Sequence, residues 1–151
     1  MILLQFIIST IATLSFAALF HAPRKELLYC GLTGGAGWVV YLLCLDNGSN
    51  IYIACLLATF FLTLLARIFS AIRRNPVTVY LVAGIFPLVP GAGIYYTAYY
   101  LIMGEMAQFS SKGVETFLIA GSIALGIVFG FAIPQSLFNT LQKKEKKEKT
   151  H

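Results

Sequence analysis

Charge is what this sequence has least of. Asp, Glu, Lys and Arg make up 11% of its 151 residues and apolar residues 58%, against roughly 25% and 45 to 50% in an ordinary soluble domain. A body of this size cannot hide that much apolar surface from water, so a soluble globule is excluded and lipid must cover much of the outside. Histidine is nearly absent: His21 and His151 are the only two, which leaves no zinc or haem constellation to assemble. Cys30, Cys44 and Cys55 are odd in number, lack C-x-x-C spacing and sit in apolar segments, which argues against a disulfide framework or a metal cage and reads as packing. There is no G-x-x-x-x-G-K-[ST] run, and the loops are too short for a nucleotide-binding domain. H-E-x-x-H, G-x-S-x-G and paired carboxylates within apolar segments are also missing, so no enzyme class and no cofactor is indicated. The net charge of +5 is a tail effect, with Lys143, Lys144, Lys146, Lys147 and Lys149 in the last nine positions. A short Lys/Glu run of that kind is either solvated or in contact with anionic lipid head groups, and it does not make a nucleic-acid interface.

What is abundant is apolar sequence in lengths that match a bilayer core of about 30 Å, which takes about 20 helical residues to cross. Five such segments follow one another, at 2–20, 27–45, 51–69, 77–103 and 116–134. The expectation is an all-α integral membrane protein, a single transmembrane domain over 1–142 with a charged tail at 143–151. The first segment is not a signal peptide, because it lacks a basic n-region, is too long, and its positive charges follow it. With five crossings, Arg24, Lys25, Arg67, Arg73, Arg74 and the tail lysines fall on one side, ten of the eleven basic residues. The other side receives 46–50 and a loop at 105–115 whose only basic residue is Lys112. The positive-inside rule then puts the N-terminus outside and the C-terminus in the cytoplasm of a cell that exposes the chain in its plasma membrane. A four-span chain with a re-entrant fourth segment would put Lys112 and the tail on opposite faces.

Small residues recur at i, i+4 spacing, Ser9, Thr13 and Ala17 in the first span and Ser122, Gly126 and Gly130 in the last. Such faces allow the close backbone approach that holds membrane helices together. Gly31, Gly34, Gly35 and Gly37 in the second span are denser still, and indicate flexibility or a very tight crossing. The fourth segment, PVTVYLVAGIFPLVPGAGIYYTAYYLIMGE, is the unusual one. Pro87 and Pro90 each remove a backbone donor and Gly84, Gly91 and Gly93 loosen the chain, so the helix is expected to break in mid-span. Bare peptide groups are tolerated at that depth only where protein or a water-filled cavity surrounds them.

Two readings of the break stand at this point. It is either a proline kink used for packing, or a site at which the amides opening the second half-helix after Pro90 face an anionic group. Tyr95 with Tyr99, and Tyr96 with Tyr100, share helix faces and form either an interfacial aromatic belt or the lining of a polar path, with Thr97 among them. Glu105 closes the segment as a solvated carboxylate or as a proton-sensitive gate. Arg67, the most deeply placed base, either snorkels to the cytoplasmic surface or pairs with a carboxylate at the inner mouth. The candidate binding set is therefore Pro87, Pro90, Gly91, Gly93, Tyr95, Thr97, Tyr99, Glu105 and Arg67. The core is expected to hold no Asp or Glu, so a substrate amino group would need a partner from elsewhere.

The run GIFPLVPGAGIYYTAYYLIMGE, with Arg73, Arg74 and Pro76 just upstream, resembles the threonine/serine exporter family in its short-subunit form. The resemblance covers nearly the whole chain. It implies a bacterial secondary exporter of threonine and serine, or of small dicarboxylates such as succinate, with no resident cofactor. It also implies a larger membrane subunit as partner, beside any homo-oligomer, and assigns no substrate contacts. A non-transporting assembly or scaffold subunit is the competing reading.

Overall fold

Long apolar stretches that cannot leave peptide groups bare in lipid have one local solution in an open chain, the α-helix, and the computed structural model, which describes residues 1–134, is helical throughout. Helix α1 is Ile2–Leu19, and a 3-10 turn at Arg24–Glu26 leads into α2, Leu27–Asp46. α3 is Ile51–Arg73, α4 Val77–Ile85, a second 3-10 turn Phe86–Leu88, α5 Gly91–Ile102 and α6 Met106–Ala132. The tail expected at 143–151 lies outside the described residues.

Local chemistry sets the boundaries. Asn50 caps α3, its side-chain oxygen accepting from the Tyr52 amide at 3.3 Å. α3 runs a turn past the expected end at 69 and stops where Arg74 turns left-handed (φ 58°) ahead of Pro76. Gly104, at φ 74°, makes the tight turn between α5 and α6. The loop expected at 105–115 is a correction: α6 starts at Met106. Lys112 and Glu115 bond at 2.8 Å as an i, i+3 pair on that helix, so charges that read as loop are a helix-surface pair.

α1, the stretch Arg24–Asp46, α3 and α6 are each long and apolar enough to cross a bilayer. Val77–Leu88 and Gly91–Ile102 pass that test only together, and they meet at a 57° bend, as a broken span or a re-entrant loop does. The protein therefore has four such spans, or five if the bent pair is one.

Glycines set against threonines pack the helices. In α1, Ser9, Thr13 and Ala17 are the buried residues, and α2 glycines lie against α1: a Cβ at Gly34 would come 2.7 Å from Thr13 Cγ2, and one at Gly31 3.0 Å from the Thr10 carbonyl oxygen, while Gly37 faces Leu62 of α3. Since α2 is one unbroken helix, these glycines make a tight crossing and no hinge. In α6 the buried face is Ile119, Ile123, Gly126 and Gly130, while Ser122 stays off it. Gly126 faces Leu56 and Thr59, and Gly130 faces Thr63, so α3 and α6 run parallel. The threonine hydroxyls return to their own helices, Thr13 to Ser9 O at 2.8 Å, Thr63 to Thr59 O at 2.7 Å and Thr33 to Tyr29 O at 2.7 Å. That bonding satisfies the polar atom inside its helix and frees the methyl to press on the facing glycine.

Candidate functional site

Between α4 and α5 lie the 3-10 turn Phe86–Leu88 and then Val89 and Pro90. The Val89 amide bonds to Phe86 O at 3.2 Å to close the 3-10 turn, Gly91 N reaches back only to Val89 O at 2.7 Å, and regular α-bonding resumes with Ile94 N on Pro90 O at 3.0 Å. The Phe86 ring stacks on Phe16 with centroids 4.2 Å apart, which pins the turn to α1, and Leu88 is buried. A Cβ at Gly91 would meet nothing within 4 Å among the described residues. Gly91 and Ala92 at the start of α5 are exposed.

A groove of about 630 Å³ runs between α5 and α6 from this point, lined by Pro90, Ile94, Thr97 and Leu101 on one wall and Phe109, Thr116 and Ile123 among others on the other. Its surface is almost wholly apolar, and its two threonine hydroxyls donate within their own helices, Thr97 to Gly93 O and Thr116 to Lys112 O, both at 2.7 Å. Of the expected set, Pro90 and Thr97 line the groove. Gly93 packs on Thr116 beside it, where a Cβ would lie 3.3 Å from Thr116 Cβ. Pro87 belongs to the 3-10 turn.

The remaining members go elsewhere. Tyr95 is 63% exposed and Tyr99 40% exposed, both off the groove, their rings stacked on each other at 6.4 Å. Glu105 is exposed at the N-cap of α6. Arg67, expected to snorkel or to meet a carboxylate at the inner mouth, lies against the end of α6. It is 3% exposed, and its Nη1 donates to Gly130 O at 2.6 Å and Ile133 O at 2.7 Å. The side chain thus satisfies carbonyls left over at the end of α6, and its guanidinium lies 5.8 Å from the Phe131 ring.

The most polar buried cluster is one that the sequence reading missed. Glu26, expected in a loop, is 4% exposed, which corrects the expectation of a core without carboxylates. Arg73 Nη2 and Nε reach Glu26 Oε1 and Oε2 at 2.8 and 3.1 Å, and Tyr80 donates its hydroxyl to Oε2 at 2.8 Å. Tyr80 is fully buried, Asn75 donates to its oxygen at 3.4 Å, and the Arg73 guanidinium lies 4.8 Å over the Tyr29 ring. Three helices meet there, the start of α2, the end of α3 and α4. The available signal was a lone acid immediately ahead of an apolar run, with Arg73 47 positions away.

Among the described residues no group of His, Cys, Asp and Glu could hold a metal ion. What the geometry defines is a multi-pass helical membrane protein with one interrupted segment beside an apolar groove. The threonine/serine exporter (ThrE) family matches residues 5–133. The chain belongs to that family and is a multi-pass membrane protein. It is also 28% identical over 141 residues to an uncharacterised protein of Haemophilus influenzae, a match that covers 91% of this chain and 48% of that protein. The chain thus spans about half the length of that relative. No solved structure matches it.

Proposed function

We propose that the chain is the membrane subunit of a secondary exporter of hydroxy amino acids, threonine or serine, or of small carboxylates such as succinate, working with a larger partner subunit. The observation that carries the reading is the 57° interruption between Val77–Leu88 and Gly91–Ile102, because a broken helix in lipid exposes peptide groups where transporters hold substrate. The substrate carboxylate would sit on the amides that open α5 after Pro90, with Thr97 and the tyrosine face of Tyr95 and Tyr99 nearby. Pro87, Pro90, Gly91 and Gly93 shape that site in this reading, and Glu105 stands at its outer boundary. Arg67 leaves the substrate set and is read as an end-cap for α6.

The groove beside the break offers apolar walls and committed hydroxyls, which supports a second protein surface completing the polar side of the site. A relative about twice as long is consistent with such a missing half. In this reading the bent pair crosses the membrane as the fourth of five spans. The basic ends of α2 and α3 face the cytoplasm and the N-terminus lies outside, in the plasma membrane of a bacterium.

The test is efflux of labelled threonine, serine and succinate from vesicles holding the chain with and without its co-purified partner. Partner-dependent efflux that Gly91→Leu abolishes is the expected result, and a Cβ there meets nothing within 4 Å among the described residues. A Gly91→Leu subunit that assembles and exports at the wild-type rate would remove the site from this position. Robust efflux from the chain alone would remove the partner. The scaffold reading gains if Pro87 to Gly93 changes alter assembly and leave substrate affinity untouched.

A further inference from the structure

We propose that α4 is a swinging rod, latched shut at one end by the Tyr80 hydroxyl on Glu26. Four observations converge on it. First, α4 has only nine residues, Val77–Ile85, and chain breaks flank it on both sides. On one side lie the left-handed Arg74 and Pro76, and on the other the 3-10 turn with Pro87 followed by Pro90. Breaks of that kind absorb backbone rotation while the rod stays intact.

Second, the tether is polar and local. Tyr80 donates to Glu26 Oε2 at 2.8 Å, and Arg73 of α3 holds the same carboxylate through both oxygens. Arg73 keeps Glu26 in place and Tyr80 ties α4 to it. Asn75 lies 3.4 Å from the Tyr80 hydroxyl and completes the set of polar groups around it.

Third, the rest of the contact of α4 with α2 can separate without stranding strong bonds. Gly84 lies against Thr33, where a Cβ would be 3.0 Å from Thr33 Cγ2. A polar contact between them is the Cys30 thiol on Val79 O at 3.4 Å, a weak donor.

Fourth, there is room on the opposite side. At about 100° per residue, Thr78 and Val82 point away from Tyr80, and they line a cavity of about 280 Å³ shared with Ala17, Phe20 and His21 at the end of α1. With Leu81, Ala83 and Gly84 packed against its neighbours and the Tyr80 hydroxyl bonded to Glu26, a rod hinged at both ends has the cavity at Thr78 and Val82 to tilt into when the hydroxyl lets go. The tilt would open the α2–α4 seam at Cys30 and pass down the rod to the interruption at Pro87 and Pro90.

The protein carries its own reporters. Cys30 sits in the seam, fully buried, one turn beyond Glu26, and Cys55 is 3% exposed in α3. Chains that retain only Cys30 (Cys44→Ser, Cys55→Ala) or only Cys55 (Cys30→Ala, Cys44→Ser) are reacted in membranes with a permeant maleimide. Alkylation needs a thiol that water and reagent can reach. Tyr80→Phe, which keeps the buried ring, is expected to raise the Cys30 rate at least tenfold with the Cys55 rate within twofold of its parent. A Cys30 rate that Tyr80→Phe leaves unchanged overturns the latch. A rise at Cys30 and Cys55 together also overturns it, since that pattern marks general loosening. The labelling requires no transport, so it stands or falls apart from the exporter reading.

Discussion

Gly126→Ala is the most direct test of how the bundle is held. A methyl at that position would lie 2.6 Å from the Leu56 carbonyl oxygen and 2.8 Å from Thr59 Oγ1. A carbon and a carbonyl oxygen in contact sit at about 3.3 to 3.6 Å, so α3 and α6 must part by about 0.7 Å or more. The obstructing atom is main chain and cannot rotate away, unlike a side-chain tip. Overpacking of this kind costs about 1 to 3 kcal/mol. It is partly masked by the gain of about 1 kcal/mol that Ala has over Gly in a helix. Gly121→Ala isolates the second quantity: it lies in the same helix, and a methyl there would meet nothing within 4 Å. The two variants are therefore expected to differ by about 1 to 3 kcal/mol, with Gly126→Ala the weaker. Reversible unfolding in mixed micelles, titrated with a denaturing detergent and followed by far-UV circular dichroism, reads that difference. If Gly126→Ala matched or exceeded Gly121→Ala, the inference that glycine at this seam is required by the approach of α3 would be wrong.

Three further expectations are cheaper to check. Arg67→Leu leaves the Gly130 and Ile133 carbonyls without the guanidinium that bonds them, and at about 1.5 to 3 kcal/mol for each bond to a charged group it should lower the unfolding midpoint sharply. An Arg67→Leu subunit of unchanged stability would contradict the capping role. Trp38, the single tryptophan, donates Nε1 to Gln5 Oε1 at 2.9 Å between α2 and α1. Gln5→Leu should shift its emission to the blue and cost about 0.6 to 2 kcal/mol, and an unchanged spectrum would place the bond outside the working structure. Lys112→Ala removes a pair in which both side chains are at least 40% exposed; a change in stability beyond about 1 kcal/mol would contradict its reading as a surface pair.

The first three helices were readable because length and hydropathy alone decide them: 2–20, 27–45 and 51–69 became Ile2–Leu19, Leu27–Asp46 and Ile51–Arg73. The small-residue face of α1 was readable residue for residue, since Ser9, Thr13 and Ala17 are its buried set. α6 was misjudged at its start because Lys112 and Glu115 were weighed as loop charges, when an i, i+3 pair of opposite sign is at home on a helix. Arg67 was placed near the right end of the bundle but given the wrong partner. That partner is backbone from a helix 63 positions later, and no spacing rule announces a carbonyl. Glu26 was invisible for the same reason, since its burial depends on Arg73 and Tyr80 arriving from two other helices.

The distribution of these features divides the molecule into a fixed part and a loose part. Where α1, α2, α3 and α6 touch, glycines face threonines such as Thr13 and Thr63, whose hydroxyls bond within their own helices, so separation would lose dispersion along the seams and break the Trp38–Gln5 and Arg67–Gly130 bonds. The other two helices are held differently. α4 is short, broken at both ends and tied by a hydroxyl to a carboxylate, and α5 has no buried residue at all. The exporter reading proposed above requires some elements to exchange contacts against a frame that keeps its own. Here the exchangeable elements are the two on either side of the proline interruption, so the chemistry assigned to the break and the motion assigned to α4 fall on one continuous stretch of chain. A substrate site at Pro90 and a latch at Tyr80 are then about ten residues apart along one hinged segment. Releasing the latch should change the accessibility of the amides after Pro90 without disturbing the glycine seams of the frame.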